Sequence, residues 1–332
     1  MAIDVLSVGG IVVDTFIKLN ESQTSVHKNQ NGELVLSMPF GAKIPFESAE
    51  DVQAVGNSAN AAISFARLGL NTALHANIGN DQVGRDMLAY LETNKVDTRL
   101  MKIHPGKASN HHYVLRYKED RTILVHDEAY VYHWPHLRTD EMPKWIYFSS
   151  MGENSEKFHD DLAHWLERHK EVKLAFQPGT FQILMGVKRL ANIYALAEVL
   201  AVNREEAVEI SGGNYNDLND LFDRLHGLGS KIVVISDGPD GAYASDGEKR
   251  LQMPIYPDPS PPYERTGAGD AFTSTFVAAL IHGADIEGAL QWGPINSMSV
   301  VQHVGAQKGL LTERQLSKLL QNSPRWYRAK PL

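Results

Sequence analysis

The stretch Arg265-Thr266-Gly267-Ala268-Gly269-Asp270-Ala271-Phe272, continuing as Thr273-Ser274-Thr275-Phe276-Val277-Ala278-Ala279-Leu280, decides how the rest of the chain is read. Two glycines flank Ala268, and apolar residues then recur at 272, 276, 277 and 280, which predicts a helix over Ala271–His282. Backbone N–H groups at a helix start lack intrahelical partners and carry partial positive charge, so a glycine-rich start can hold an anion. Asp270, in the first turn, is stabilised there and would sit close to a bound phosphate. An anion cradle beside a carboxylate suits phosphoryl transfer to a hydroxyl. The acid takes the hydroxyl proton while the N–H groups of Gly267, Ala268 and Gly269 hold the charge of the transferring group. Taken alone, the same residues also describe a tight loop with a helix cap.

Working outward, the pattern alternates. Ile3–Val8 reads as a buried strand ending at Gly9-Gly10, and Ile11–Leu19 as a second extended stretch. Ser22–Gly32 is polar and turn-rich, an exposed loop, and Glu33–Phe46 one or two edge strands. From Asn57, apolar positions 61, 62, 65, 66 and 68 take helical spacing and Gly69 closes the segment. Strands and helices then succeed one another, with a single helix expected near Leu184–Leu190. Lys118-Glu119-Asp120 reads as a turn between two β-rich arms within Arg99–Val125. Alternation of this kind predicts a mainly parallel sheet covered on both faces. The stretches near 11–55 and 97–127 do not alternate with helices and are expected to form a small sheet of their own.

The 332 residues can bury a sizeable core, and 43% apolar with 22% charged content is that of an ordinary soluble globular protein, which excludes disorder or fibre. A net charge of −8 disfavours a nucleic-acid partner. With no cysteine there is no disulfide framework, thiolate metal site or cysteine nucleophile, and a reducing compartment is the natural setting. No secretory signal or membrane span is read, so a cytoplasmic location is expected. The P-loop pattern, HExxH and GxSxG are missing, and Phe272 stands where a dinucleotide fingerprint has its third glycine, which disfavours a nicotinamide-dependent oxidoreductase.

Further motifs occur in a fixed order. They are Gly9-Gly10-Ile11-Val12-Val13-Asp14, Gly56-Asn57-Ser58-Ala59-Asn60-Ala61-Ala62, and Ile78-Gly79-Asn80-Asp81 with Gly84. Asn203-Arg204-Glu205-Glu206, Ser236-Asp237-Gly238 with Gly241, Thr266–Asp270 and Gly305-Ala306 follow. In this order they resemble the ribokinase (PfkB) family of carbohydrate and nucleoside kinases over nearly the whole chain. The resemblance implies a three-layer α/β/α unit spanning 1–332, its central sheet mainly parallel, with an inserted β-sheet lid. It implies an ATP-dependent sugar kinase in which Asp14, Gly56, Asn57 and Asn60 bind the acceptor and Asp270 is the catalytic base. Gly267, Ala268 and Gly269 would form the anion hole. Asn203, Ser236, Gly238, Gly241, Thr266, Asn296 and Gly305 would serve the nucleotide, and Glu206 the Mg²⁺. A homodimer through the lid is expected, because Leu34, Leu36, Val114 and Leu115 exceed what one small sheet can cover.

Some positions depart from the family pattern. Glu264-Arg265 replaces the commoner Asp-Thr, which leaves a K⁺ site open; Gln177-Pro178-Gly179 replaces Asp-Pro-Asn; Val55 replaces a glycine; Asn296 is offset by two residues. Asn203 and Glu206 also fit an ordinary helix cap, and Asp14 a capped turn. His111-His112, His126 and His133-x-x-His136 lack metal-ligand spacing and are read as surface or substrate-contacting residues. Tyr113, Leu115 and Tyr117 alternate with Arg116 and Lys118, and either face could look inward. An uncharged acceptor is expected, as no basic cluster converges beyond the anion hole. The alternatives are a nucleoside acceptor on the same fold and a sugar-binding regulatory protein with a dead site; an intact Asp270 argues against the latter.

Overall fold

The structure is a computed structural model that describes residues 2–118 and 120–332. Its centre is a nine-stranded sheet. Six strands, Thr72–His75, Ile3–Val8, Pro143–Phe148, Lys173–Phe176, Ala197–Asn203 and Ile232–Ser236, lie side by side in that order and run parallel. Ala242–Ser245, Arg250–Met253 and Lys330–Pro331 extend the sheet antiparallel. The parallel strands read as continuous apolar runs because both their faces are covered. Val5, Tyr147, Ala175 and Val234 point to one face and pack against Phe65, Phe272, Phe276 and Leu290. Leu6, Phe148, Leu174 and Val233 point to the other and meet Phe158, Leu162, Tyr194 and Phe222. The result is a helix–sheet–helix sandwich.

The second sheet has four strands, ordered Asp120–Leu124, His111–Tyr117, Val12–Leu19 and Phe46–Val55. Glu119, in the expected turn, lies outside the described residues, and the arms on either side pair antiparallel. Val12 pairs with Val55 but Asp14 with Val52, so the longer strand carries a bulge. Bulges bend and twist a sheet, and this one sits where the small sheet leaves the core. Lys102–His104, expected in the small sheet, instead pairs parallel with Asn77–Gly79 beside the core.

Two other expectations change. Part of the presumed loop at 22–32 is a strand: Ser25–Lys28 pairs antiparallel with Leu34–Ser37 as a hairpin. Its residues are all exposed, so no alternation betrays it. The single helix near 184–190 is two short helices, Thr180–Met185 and Ala191–Leu196, because Gly186 adopts φ 81°, outside helical geometry.

Candidate active site

Asn203, Glu206, Ser236 and Gly238 lie at the carboxyl ends of two adjacent parallel strands or just after them, the side on which open α/β sheets bind ligands. The helix after the glycines begins earlier than its apolar spacing suggests, at Ala268, with Gly267 as N-cap at φ 79° and ψ 0°. A Cβ on Gly267 would come within 2.2 Å of the Ala306 Cβ. Glycine is therefore required there on two counts, backbone angle and contact. A Cβ on Gly269 would meet nothing within 4 Å, so the space in front of these amides is open.

Asp270 is held by amide side chains. Asn60 Nδ2 donates to its Oδ2 at 2.8 Å and Gln177 Nε2 donates to its Oδ1 at 3.2 Å. Both amides are themselves oriented. Gln307 Nε2 donates to Asn60 Oδ1 at 2.9 Å and to the Ala54 carbonyl at 2.7 Å. The buried Tyr147 hydroxyl donates to Gln177 Oε1. Each amide is thus committed to present N–H, not C=O, to Asp270, a carboxylate acceptor with no donor of its own. Burial pushes the Asp270 carboxyl above its ordinary value, opposed by the hydrogen bonds from Asn60, Gln177 and Asn57. Sequence reasoning missed Gln307 and recorded Gln177 only as a departure. Their partners lie 247 and 93 residues away, beyond any local pattern.

Two cavities flank this carboxylate. One, of about 370 Å³, is lined by Asn203, Ser236, Gly238 and Gly241 together with Ala268 and Gly269. Phe272, Ile255, Met298 and Val301 give it an apolar wall, suited to a planar aromatic group. Asn203 and Ser236 are register partners at the ends of adjacent strands. Arg204 pairs with Asp237 behind them and stacks 4.7 Å from the Tyr215 ring centre, which fixes the loop. Asn296 does not line this cavity. Its side chain is fully buried, donates to Thr275 Oγ1 at 2.7 Å and accepts from the Leu311 N–H at 2.9 Å; its helical neighbours Ser297 and Met298 reach the cavity instead.

Asn203 and Glu206 form a reciprocal capping box, Glu206 N–H to Asn203 Oδ1 at 2.8 Å and Asn203 N–H to Glu206 Oε2 at 2.9 Å. Glu206 Oε1 takes no part in the cap. Burial, outweighing the Asn203 N–H and aided by the nearby charge of Asp270, raises the Glu206 carboxyl. Gly305 and Thr266 lie on the far side of the glycine turn. The Gly305 N–H reaches Glu264 Oε2 at 3.3 Å, while Glu264 Oε1 and Thr266 Oγ1 are buried without partners.

The second cavity, of about 400 Å³, lies beneath the small sheet and is lined by Gly10, Gly56, Asn57, Asn110, His112 and Asp127, with Glu128 and Glu153 at its margin. Asn60 is set back from it and serves Asp270. Asp14 stands beside it against His112, Nδ1 to Oδ1 at 3.5 Å. The orientation of the small sheet, left open by the sequence, is settled by Arg116: its guanidinium lies 5.3 Å from the Tyr263 ring centre and 3.4 Å from the hydroxyl, on the loop leading to Gly267. Arg116 looks inward, whereas Leu115 and Tyr117, with Lys118 beside them, line a separate hollow with Val26, Leu34 and Leu36 of the hairpin. Among the described residues no group of three His, Asp or Glu side chains is arranged to hold a metal.

Residues 4–313 match the family described as pfkB family carbohydrate kinase. The chain is 25% identical to the ATP-dependent 6-phosphofructokinase of Thermoanaerobacterium thermosaccharolyticum over 266 residues, 76% of this chain and 80% of that protein. It is 26% identical to the ribokinase of Bacillus subtilis over 270 residues, 80% of this chain and 87% of the other. Among solved structures, Arabidopsis thaliana ribokinase complexed with ribose and ATP superposes with a TM-score of 0.77 at 19% identity, covering 97% of this chain and 99% of that one.

Proposed function

The chain belongs to the pfkB family of carbohydrate kinases, phosphotransferases acting on hydroxyl groups, and we propose that it transfers the terminal phosphoryl group of ATP to a hydroxyl of a small uncharged sugar. The observation that carries this reading is the placement of Asp270. It follows directly on Ala268 and Gly269, which line the first cavity, and it is in hydrogen-bond contact with Asn57, which lines the second. A carboxylate between two cavities can take the proton of a hydroxyl entering from one while the helix-start amides receive the group arriving from the other.

In this reading the apolar wall of the first cavity takes the nucleotide base and the Ser236–Gly241 loop its neighbouring groups. The N–H groups of Gly267, Ala268 and Gly269 stabilise the transferring phosphoryl group. Asp14, Gly56 and Asn57 bind the acceptor, and Asn60 and Gln177 keep Asp270 ionised and aimed. Glu206, with one free oxygen in a field already negative from Asp270, and Asn203 would hold Mg²⁺ through water, whose charge offsets that of the phosphates. The orphaned oxygens of Glu264 and Thr266 fit a monovalent cation, K⁺ being the candidate. The small sheet acts as a lid that excludes water. Exposed Leu34, Phe40 and Phe46, at 68, 108 and 57% of full exposure, support a homodimer formed lid to lid. A cytoplasmic setting agrees with the cysteine-free sequence.

The acceptor is assigned as uncharged because Asp127, Glu128 and Glu153 outnumber the one cationic group lining the second cavity, His112. A nucleoside acceptor is the second reading, favoured only by the room available. The test is a single discontinuous assay of ADP release with Mg-ATP and D-ribose, D-fructose, adenosine or fructose 6-phosphate. Turnover with a neutral sugar, falling by roughly 10²–10⁴ in Asp270→Asn, is expected. Preference for fructose 6-phosphate, or a loss under tenfold in the variant, would overturn the assignment.

A further inference from the structure

Among the described residues His112 is the one imidazole placed between two carboxylates, and the proposed reaction has given it no task. Asp14 and His112 are register partners on neighbouring parallel strands, so their side chains stand on the same, inward face of the lid. Asp127 comes from a different element, the segment by which the chain returns from the lid to the core. His112 Nε2 lies 3.1 Å from Asp127 Oδ1, and Nδ1 lies 3.5 Å from Asp14 Oδ1. A neutral imidazole can donate from only one nitrogen, so a ring flanked by two ionised acids serves both only when each nitrogen carries a proton. The His112 and Asp14 side chains keep only 20 and 18% of their exposure, which limits competition from water. Asp14 Oδ1 has no hydrogen-bond partner of its own. That buried oxygen is held toward the imidazole by charge.

We propose that His112 is a positioning residue for the acceptor: doubly protonated and held between Asp14 and Asp127, it fixes the Asp14 carboxylate beside the 400 Å³ cavity that His112 and Asp127 themselves line. The inference rests on the reading of that cavity as the acceptor site. The same ring ties the acceptor-binding strand to the lid's return segment. The Asp127 and Asp14 contacts raise the His112 pKa to about 9, so the cation persists through neutral pH. The other titratable groups lining the cavity are Glu128, Glu153 and Tyr132, and Lys107 pairs with Glu128 at 2.9 Å. None of these offers His112 a second cation to repel it. The sign is fixed: a raised imidazole keeps its effect below its folded pKa and loses it as pH rises through that value.

The experiment combines two readouts on the full chain. Histidine-ring ¹⁵N NMR of the ¹⁵N-labelled protein, with His112 signals identified by their loss in His112→Gln, should show both nitrogens protonated at pH 8 and a midpoint that falls by a unit or more in Asp127→Asn. Kinetics with D-ribose, D-fructose and adenosine as probes should show His112→Gln raising the acceptor KM at least tenfold, with kcat within threefold and the ATP KM unchanged. The wild-type acceptor KM should climb above pH 9 and that of the variant stay flat. If His112→Gln does not fold, Asp127→Asn, at an exposed position, should still raise the acceptor KM threefold or more. A ring that is neutral at pH 7.5, or an acceptor KM within twofold of wild type, overturns the inference alone. A wild-type protein that neither binds nor phosphorylates any of the three probes overturns the acceptor reading and this inference with it.

Discussion

Replacing Gln177 with Met should move the acid limb of the kcat/KM–pH profile to higher pH. Gln177 donates to Asp270 Oδ1 at 3.2 Å, and the buried Tyr147 hydroxyl holds it in that orientation. Methionine has nearly the same volume and removes the donor without opening a cavity. A hydrogen bond to a charged group contributes about 1.5–3 kcal/mol. The length of this one and the partial exposure of Asp270 place it at the lower end, and about 1.4 kcal/mol corresponds to one pH unit. The direction follows from the physics of the site. Burial already pushes the carboxyl upward and the amide donors oppose that, so losing a donor lets the proton bind more readily. A base that must be ionised to act is then lost at a higher pH. The profile should be recorded by discontinuous ADP quantification at saturating Mg-ATP between pH 4.5 and 9. The acid limb should rise by about one unit while the plateau stays within a few-fold of wild type. Tyr147→Phe is the control, since it leaves the Gln177 donor in place and should shift the limb less. A limb that stays fixed, or moves to lower pH, would show that Gln177 does not stabilise the ionised acid.

Three further outcomes are expected. Gly267→Ala forces a left-handed residue, costing about 1–2 kcal/mol, and drives a methyl into Ala306; thermal denaturation should show a lower Tm and turnover should collapse, with sugar binding by calorimetry retained. Glu206→Gln should raise the Mg²⁺ concentration for half-maximal activity while the acceptor KM stays level, and an unchanged metal titration would leave the residue as a cap only. Charging the exposed hairpin and lid edge with Leu34→Glu and Phe46→Glu should convert a dimer to a monomer in light scattering, whereas a wild-type monomer at every accessible concentration would remove the lid-to-lid assembly.

What could be read from the sequence divides along a physical line. The glycine turn, the helix at Asn57 and the parallel strands are local or periodic signals, and they appear within a few residues of their expected bounds. The helix over Ala268–Ile281 starts three residues early because Gly267 caps it through its backbone angle, not through a side chain that a sequence would display. The Ser25–Lys28 strand was invisible because none of its side chains is buried, so no alternation marks it. The amide relay Gln307–Asn60–Asp270–Gln177–Tyr147 spans most of the chain, so each glutamine looked idle until the fold closed. Asn296 illustrates the converse. A polar residue near the expected place was drawn into the space between two helices, where both halves of its amide are satisfied.

In the proposed function, the register of the small sheet would allow acceptor binding and lid movement to be separated. Asp14 and His112 lie just beyond the bulge at Val12–Asp14, beside the core, whereas Lys18 and Arg116 pair four residues further along the same two strands. At about 3.3 Å per residue that is roughly 13 Å of lever arm. A swing about the bulge would therefore displace the Asp14–His112 pair little and the Lys18–Arg116 pair most. The outer pair is also the one that meets the loop before Gly267, through Arg116 and Tyr263. In that reading the groups aligned with Asp270 sit at the root of the small sheet, and Arg116, which meets Tyr263, sits toward its tip. If the small sheet is the proposed lid, it would open for exchange of ligands without dismantling the geometry around the attacking hydroxyl.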